Sequence, residues 1–533
     1  MKIKLTEEMI KTIQEHDSLK GYLSSLSSEK SATPRSWLYD GKHGNLSMSP
    51  EEVLHTWCAQ LEVLKSNADQ HLNNVYQFDA SQLEKWGPQG GHKPIAELED
   101  ILEQGYLIED SPKRTPGFRR REWREAKRVV VNRLYRAGAR SLRPASYESV
   151  VEDMRARDTL DSKSGWPLHI PRKDPEAKAK AIEDAKSGEW RKQPAIALFR
   201  TYNKKTRLVW MYPMAVNLVE GAFFQPLQQV LMTSYLAESF FSPWKGFEQV
   251  RSRVTNTYRK GFMVAASDFS STDAHFQKST SLEVSDVLEQ CFQPAYRAEL
   301  RESITYMHDI PLVIGLEYML VGSHGVSSGS NWTNFIETVF DMILGEYAHL
   351  LDNNVLALYG IGDDMAWASI TRTGDEFKRW LEQLGTSVGQ QIKAEKTTAE
   401  RDQVKTLQRL FQRGYFQETG NLLRGVYSTI RALKSSVYPE RYHNPEEWDG
   451  DMFSVRQFMI LENCVDHPLF KEFVAFVCKG NHHLIPFAKR SRGYLDAAQR
   501  RANHVHGLTS TYNQEKRDSA LADFASIRIA ASL

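Results

Sequence analysis

Two adjacent aspartates, Asp363 and Asp364, lie in the stretch YGIGDDMAW at 359–367, directly after a glycine that closes an apolar run. Like charges side by side repel, so the pair needs a physical reason. Val355, Leu356, Leu358, Tyr359 and Ile361 precede it, and Met365, Trp367 and Ile370 follow. This reads as two short strands joined by a Gly-Asp-Asp turn. A solvated hairpin uses the same turn residues. A bound cation is the usual reason to hold two negative charges at one tip.

Another carboxylate extends the pattern. The run FMVAASDF at 262–269 reads as a strand that ends in Asp268, and Asp273 follows five residues on in DFSSTD. If this strand pairs beside the Asp363 hairpin, the carboxylates meet at one sheet edge with room for two divalent ions. That is the arrangement of two-metal phosphoryl transfer, in which one ion activates an attacking 3′-hydroxyl and the other stabilises the leaving oxygen. Mg²⁺ suits such a site, because substrate phosphates and waters fill the octahedron when protein carboxylates are few.

Positioning these residues requires alternating strands and helices from about 261 to 415. After the small-residue run GVSSGS at 325–330, Trp332, Phe335, Ile336, Val339, Phe340, Ile343, Leu344 and Tyr347 recur at helical spacing, with Ser327 or Ser328 as the expected N-cap. A further helix is expected around Asp375–Leu384, ended by Gly385. Asn217–Leu236 reads as a helix, and the chain beyond 415 as mostly helical.

The 533 residues carry 68 basic and 67 acidic side chains, a net charge of +1, but the average hides a segregation. Lys113–Arg143 holds about a dozen basic residues against Glu122 and Glu125, and a second basic cluster spans Lys192–Arg207. With Phe118, Trp123, Tyr135, Trp190 and Tyr202 interleaved, these runs suit a nucleic-acid surface as well as a solvated helix face. Cys58, Cys291, Cys464 and Cys478 form no compact framework and read as free thiols. Cys464, His467, Cys478 and His482 have a spacing open to zinc, although the apolar residues between them fit a buried helix better. No apolar stretch approaches the roughly 20 residues of a membrane span, so a soluble chain is expected.

The order of these motifs resembles viral RNA-dependent RNA polymerases, most closely those of double-stranded RNA viruses of the picobirnavirus and partitivirus kind. DFSSTD looks like motif A of the palm, GVSSGSNWTNFIET like motif B and YGIGDD like motif C. IKAEKT at 392–397 and LQRLF at 407–411 look like motifs D and E, while SKSGWP at 162–167 and KKTRLVWMYP at 204–213 resemble motifs G and F. The resemblance implies an α+β fold, a closed right hand with a palm of antiparallel strands packed on helices. Residues 1–105 would be an extension bridging fingers and thumb, 106–260 and about 294–324 fingers, 261–293 and 325–415 palm, and 416–533 thumb and tail.

It also implies roles. Asp268 and Asp363 would hold the metal ions with Asp364 in support, Mg²⁺ being the expected ion and Mn²⁺ a substitute. Arg207, with Lys205 and Arg200, would lie over the triphosphate, where a guanidinium fork can bind two phosphate oxygens at once. Asp273 would read the ribose, and Ser328, Gly329 and Thr333 would help position it. Lys396 would protonate the departing pyrophosphate, with Lys393 as the alternative. Ser164, Gly165, Pro167, Arg119, Arg120 and Arg121 would meet the template.

The implied partners are an RNA template and product duplex, ribonucleoside triphosphates and a viral capsid protein, in the virus particle and the host cytoplasm. One departure stands out. Many polymerases of this group carry Asn four residues after the motif B threonine, and here that position is Glu337, so Glu337 and Asp273 should not both stay charged and unpaired. A non-catalytic RNA-binding virion protein with a degenerate palm would share the basic runs. It would not account for intact Asp268, Asp363 and Asp364. A DNA-copying relative is opposed by Asp273 and the motif B hydroxyls, which suit a ribose.

Overall fold

A strand covered on both faces needs side chains that tolerate burial at successive positions, and Met263, Val264, Ala265, Ala266 and Ser267 supply them. The computed structural model describes residues 1–156, 160–441, 446–505, 508 and 519–533. In chain order its strands are β1 (Lys2–Lys4), β2 (Ala195–Tyr202), β3 (Lys205–Met211), β4 (Met263–Asp268), β5 (Leu312–Val313), β6 (Tyr318–Leu320) and β7 (Val355–Ile361). β8 (Asp364–Ser369), β9 (Gln403–Thr406), β10 (Arg409–Gln412) and β11 (Val426–Tyr427) complete them. Three sheets result, ordered β1-β6-β5-β2-β3, β4-β8-β7 and β11-β10-β9.

The β4-β8-β7 sheet is antiparallel throughout, and its register runs from Met263 opposite Ser369 to Asp268 opposite Asp364. Helix Trp332–Leu351 packs on β7, with Gly345 leaving room for Ala357. Its inner face joins Trp367, Met263, Phe269 and Phe276 in one apolar core. Each such fully buried aromatic or aliphatic side chain contributes about 1.5–3 kcal/mol. The fold is therefore α+β, with antiparallel strands packed on helices.

Local departures from the sequence reading have physical causes. Helix Trp332–Leu351 takes Asn331 as its N-cap residue, and neither Ser327 nor Ser328 caps it; Ser330 Oγ accepts the Trp332 N–H at 3.0 Å instead. The helix expected to stop at Gly385 runs from Gly374 to Ser387, because Gly385 is wanted inside it, where Ile392 packs against its open side. The helix read over Asn217–Leu236 spans Met214–Met232 and tolerates Pro226. Trp123 and Trp190 are core residues, not a stacking surface: Trp123 sits on the apolar stripe of helix Arg121–Arg136, with Ala126, Val130 and Leu134. That stripe enters the same core as β4 and helix Trp332–Leu351, so helix Arg121–Arg136, within the 106–260 segment expected as fingers, packs directly on helix Trp332–Leu351.

The first 105 residues hold two distant parts of the chain. β1 adds to β6 through Lys2 opposite Leu320, while Trp57, Val75 and Phe78 share a core with Ile430, Leu433, Phe473 and Phe476. Between them, Gly90 N–H donates to the Thr201 carbonyl at 3.0 Å, and Gln89 donates its amide to the Tyr438 carbonyl at 2.8 Å. Arg200 forms an ion pair with Glu440 across the same gap. Helix Phe470–Lys479 is a single buried helix carrying Cys478, and His467 turns to Asp79. No helix among the described residues is long and apolar enough to cross a membrane.

Asp79 is the anchor of that second core. It is fully buried and accepts from the Ser428 and Thr429 hydroxyls, the Thr429 and Ile430 N–H groups, and His467 Nε2 at 2.9 Å. Burial opposes its charge, but the His467 contact and the hydroxyl donors prevail and hold the carboxyl below its usual range. A depressed carboxyl contributes stability above the ordinary carboxylate range and loses it as pH falls through the folded-state value. Asp79→Ala strands these donors and is expected to cost about 3–5 kcal/mol at neutral pH. Limited proteolysis should then release fragments ending within residues 30–105 while residues 185–423 resist.

Candidate active site

The β4–β8 register fixes the site. Asp268 closes β4 directly across from Asp364, which opens β8, and the intervening tip is Gly362–Asp363. Gly362 has φ +59°, the left-handed conformation a tight hairpin tip requires, and a Cβ there would fall 2.5 Å from Asn334 Oδ1. The Phe269 N–H donates to the Asp363 carbonyl at 3.1 Å and ties the tip to the end of β4. Three carboxylates thus occupy one sheet edge.

Their electrostatics show a strained neighbourhood. Among the described residues none of the three forms an ion pair, and the buried Asp268 Oδ1 has no hydrogen-bond partner. Desolvation, and then mutual repulsion, push Asp363 and Asp364 above the usual carboxylate range. Asp268 is raised by desolvation and partly relieved by Lys396, which places that lysine, rather than Lys393, within electrostatic reach of it. Asp363 and Asp273 are solvent-accessible, and the surrounding protein still desolvates both carboxyls.

Beneath the hairpin lies a second acidic layer. Glu337 and Asp341 stand one turn apart on helix Trp332–Leu351, both buried. Burial first, and then the neighbouring carboxylates, raise Glu337 well above its usual range; Asp363, Asp273 and Asp364 all contribute. Burial and the like charges of Asp363, Asp273 and Asp364 thus disfavour the ionised form of Glu337. Asp341 is raised likewise, and neither of its oxygens has a partner. The sequence reading passed over Asp341, although its spacing of four from Glu337 on an otherwise apolar helix was available as a signal.

The nucleotide side is built on β3. Arg207 is exposed and lowers both Asp273 and Asp363 electrostatically, so its guanidinium faces the acids. Arg200 sits across from Arg207 in the β2–β3 pair and is engaged by Glu440. Lys205 pairs across from Tyr202 and stands near Lys85. Ser328 Oγ accepts the Trp210 N–H at 3.2 Å, and Thr333 donates to the Ser327 carbonyl at 2.5 Å. Gly329 lies against β3 so closely that a Cβ would come within 1.6 Å of the Trp210 carbonyl.

The expected template residues fall in two places. Ser164 and Gly165 are buried against Tyr212 and Pro213, with Pro167 half-buried beside them. Arg119, Arg120 and Arg121 are exposed at the start of helix Arg121–Arg136, next to helix Gly374–Ser387. Two other basic residues of that run are consumed internally, Lys127 by Glu283 and Asp286 and Arg133 by Glu346.

A divalent ion fits the donor set: hard carboxylate oxygens, uncompensated negative charge and an unpartnered buried oxygen on Asp268. Among the described residues no three His, Cys, Asp or Glu side chains converge closely enough to hold an ion alone.

Asp341 supplies a measurable consequence. Its folded-state pKa is raised, so between the ordinary carboxylate range and that value the native state binds more protons than the unfolded chain, and stability falls as pH rises. Asp341→Val removes this loss and is expected to stabilise the metal-free protein by about 1–3 kcal/mol. Thermal melting at pH 8 and pH 4.5 checks it, with the larger gain at pH 8.

Residues 185–423 match the family model described as viral RNA-dependent RNA polymerase. A potential RNA-dependent RNA polymerase of human picobirnavirus (strain Human/Thailand/Hy005102/-) is 29% identical over 283 residues, 52% of this chain and 51% of that protein. The matched stretch thus spans about half the length of that relative. The crystal structure of the RNA-dependent RNA polymerase of a human picobirnavirus superposes with a TM-score of 0.80 at 22% identity, covering 99% of this chain and 100% of the other. Its insertion-loop deletion mutant gives 0.79 at 22% identity and the same coverage. In its central sequence and in its whole-chain fold, the protein resembles the viral RNA-dependent RNA polymerases of the picobirnavirus kind.

Proposed function

We propose that the chain is an RNA-dependent RNA polymerase that replicates and transcribes a viral double-stranded RNA genome, joining ribonucleoside triphosphates to an RNA 3′-hydroxyl. The observation that carries this reading is the register of Asp268 with Asp364, which gathers three carboxylates without an ion-pair partner among the described residues at one edge, facing Arg207. Asp268 and Asp363, supported by Asp364, would hold two Mg²⁺ ions, or Mn²⁺ in their place; such ions, when bound, activate the attacking hydroxyl and stabilise the leaving phosphate oxygen. The virion-protein alternative gives no reason for that charge to persist.

The chain's own residues take the remaining roles. Arg207 orients the triphosphate, with Lys205 beside it and Arg200 available on release from Glu440. Lys396, exposed and next to Asp268, is the proton donor to pyrophosphate. Asp273 reads the ribose, while Ser328, Gly329 and Thr333 shape the wall opposite it. Ser164, Gly165 and Pro167 shape the template path, and Arg119, Arg120 and Arg121 offer phosphate contacts. RNA template and duplex are the direct partners. A capsid protein, and a location in the virus particle and host cytoplasm, follow from the same reading.

Incubating the purified chain with single-stranded RNA, four ribonucleotides and Mg²⁺ should yield full-length labelled product. Asp363→Asn should reduce incorporation at least ~10³-fold, as loss of a principal electrostatic contact does. RNA binding should remain, because it rests on phosphate contacts elsewhere. Incorporation at the wild-type rate would end the assignment of Asp363.

Sugar choice gives a separate check. Glu337 is buried behind the hairpin, where burial and neighbouring carboxylates disfavour its charge, whereas Asp273 is exposed. Asp273→Ala is therefore expected to relax discrimination against deoxynucleotides by about tenfold or more, the worth of one good hydrogen bond to a ribose hydroxyl. Glu337→Gln should change it little. Single-nucleotide incorporation with both sugar types decides, and a larger loss in Glu337→Gln would reverse the two roles.

A further inference from the structure

A single carboxylate sits inside the apolar helix Met214–Met232, where nothing in the proposed chemistry uses it. Glu220 is 1% exposed, and its oxygens are occupied from three directions. Oε1 accepts the Asn331 N–H at 3.1 Å and the Asn217 amide at 3.0 Å, and Oε2 accepts the Ser330 hydroxyl. Asn217 reaches onward: its amide also donates to the Gly329 carbonyl at 3.2 Å, its Oδ1 accepts from Arg172 at 2.9 Å, and its carbonyl accepts the Asn331 amide at 3.1 Å. The contacts with Gly329, Ser330 and Asn331 join helix Met214–Met232 to the loop that carries Ser328 and Gly329, while Arg172 braces Asn217 from outside both.

The same loop starts the longest helix of the palm. Asn331 is the N-cap residue of Trp332–Leu351 but makes no side-chain cap; Ser330 does so, accepting from the Trp332 N–H while donating to Glu220. A carboxylate at this point also meets the positive end of the helix dipole. Glu220 thereby fixes one end of the loop, and the Ser328–Trp210 bond with the Gly329–Trp210 contact fixes the other against β3, three residues from Arg207.

We propose that Glu220 is a positioning residue that clamps loop 325–331, through Ser330 and Asn217, in register with β3, and so sets the affinity of the site for incoming nucleotide. This rests on the polymerase reading above. Burial of the charge raises Glu220 to about 7, despite donors that favour the ionised form, so the carboxylate is kept at an energetic cost that apolar packing alone would not require.

The test compares Glu220→Ala, Glu220→Gln and Ser330→Ala with wild type in steady-state nucleotide incorporation, thermal melting and amide hydrogen exchange over residues 325–331. Glu220→Ala should raise KM for the nucleotide about tenfold and leave kcat within about threefold, the pattern of a lost ground-state and transition-state contact. Exchange in the loop should accelerate. Glu220→Gln, which keeps an acceptor for the Asn331 N–H, should recover part of the KM. Ser330→Ala should reproduce the defect and add nothing to Glu220→Ala, as coupled partners do. If Glu220→Ala fails to fold, the Gln and Ser330 variants carry the comparison. Unchanged KM and unchanged loop exchange in folded variants would overturn the clamp, as would a fall in kcat that tracks melting temperature alone. Absence of incorporation by the wild-type chain would instead defeat the polymerase reading, and loop exchange would still decide whether the clamp exists.

Discussion

Repulsion among carboxylates that the β4–β8 register forces together is the constraint on which the site depends. Asp268, Asp363 and Asp364 cannot separate without breaking the sheet, and Glu337 and Asp341 crowd them from the helix behind. Charge of that density in a desolvated place must be met by protons, cations or opposed side chains. Burial and repulsion push the Glu337 and Asp341 carboxyls upward, and Arg207 and Lys396 give partial relief at Asp273, Asp363 and Asp268. What remains uncompensated at the sheet edge is what the proposed divalent ions would meet.

Holding such a site requires a frame that does not yield. The N-terminal residues supply one by touching β6 at one end and helices Thr429–Val437 and Phe470–Lys479 at the other, with the Arg200–Glu440 pair closing the gap between them. Asp79 is central there, since one buried carboxylate satisfies the start of helix Thr429–Val437 and His467 together.

Buried carboxylates serve two different ends in this fold. Asp79 and Glu220 each accept several hydrogen bonds and organise the start of a helix. Asp341 accepts none, and burial with the neighbouring carboxylates disfavours its charge. The difference lies in what faces them, helix N-termini and hydroxyls in the first case, the Gly360 backbone and the carboxyls of Glu337, Asp363 and Asp364 in the second.

Strand alternation, helical periodicity and turn chemistry are local properties, and the sequence determined what rests on them: the Asp363 hairpin, the strand ending in Asp268 and the helix after the small-residue run. Quantities that depend on which segments meet were decided only by the tertiary structure. The basic runs that hold Trp123, Trp190, Lys127 and Arg133 suited a nucleic-acid surface as well as a solvated face until the two tryptophans entered cores and Glu283 and Glu346 came opposite Lys127 and Arg133. Ser330 rather than Ser327 or Ser328 caps its helix because Glu220, 110 residues away, holds the Ser330 hydroxyl. No window of sequence contains that distance. A side chain's type is set where it stands in the chain, whereas its charge state and partner are set by burial among groups that only folding brings near.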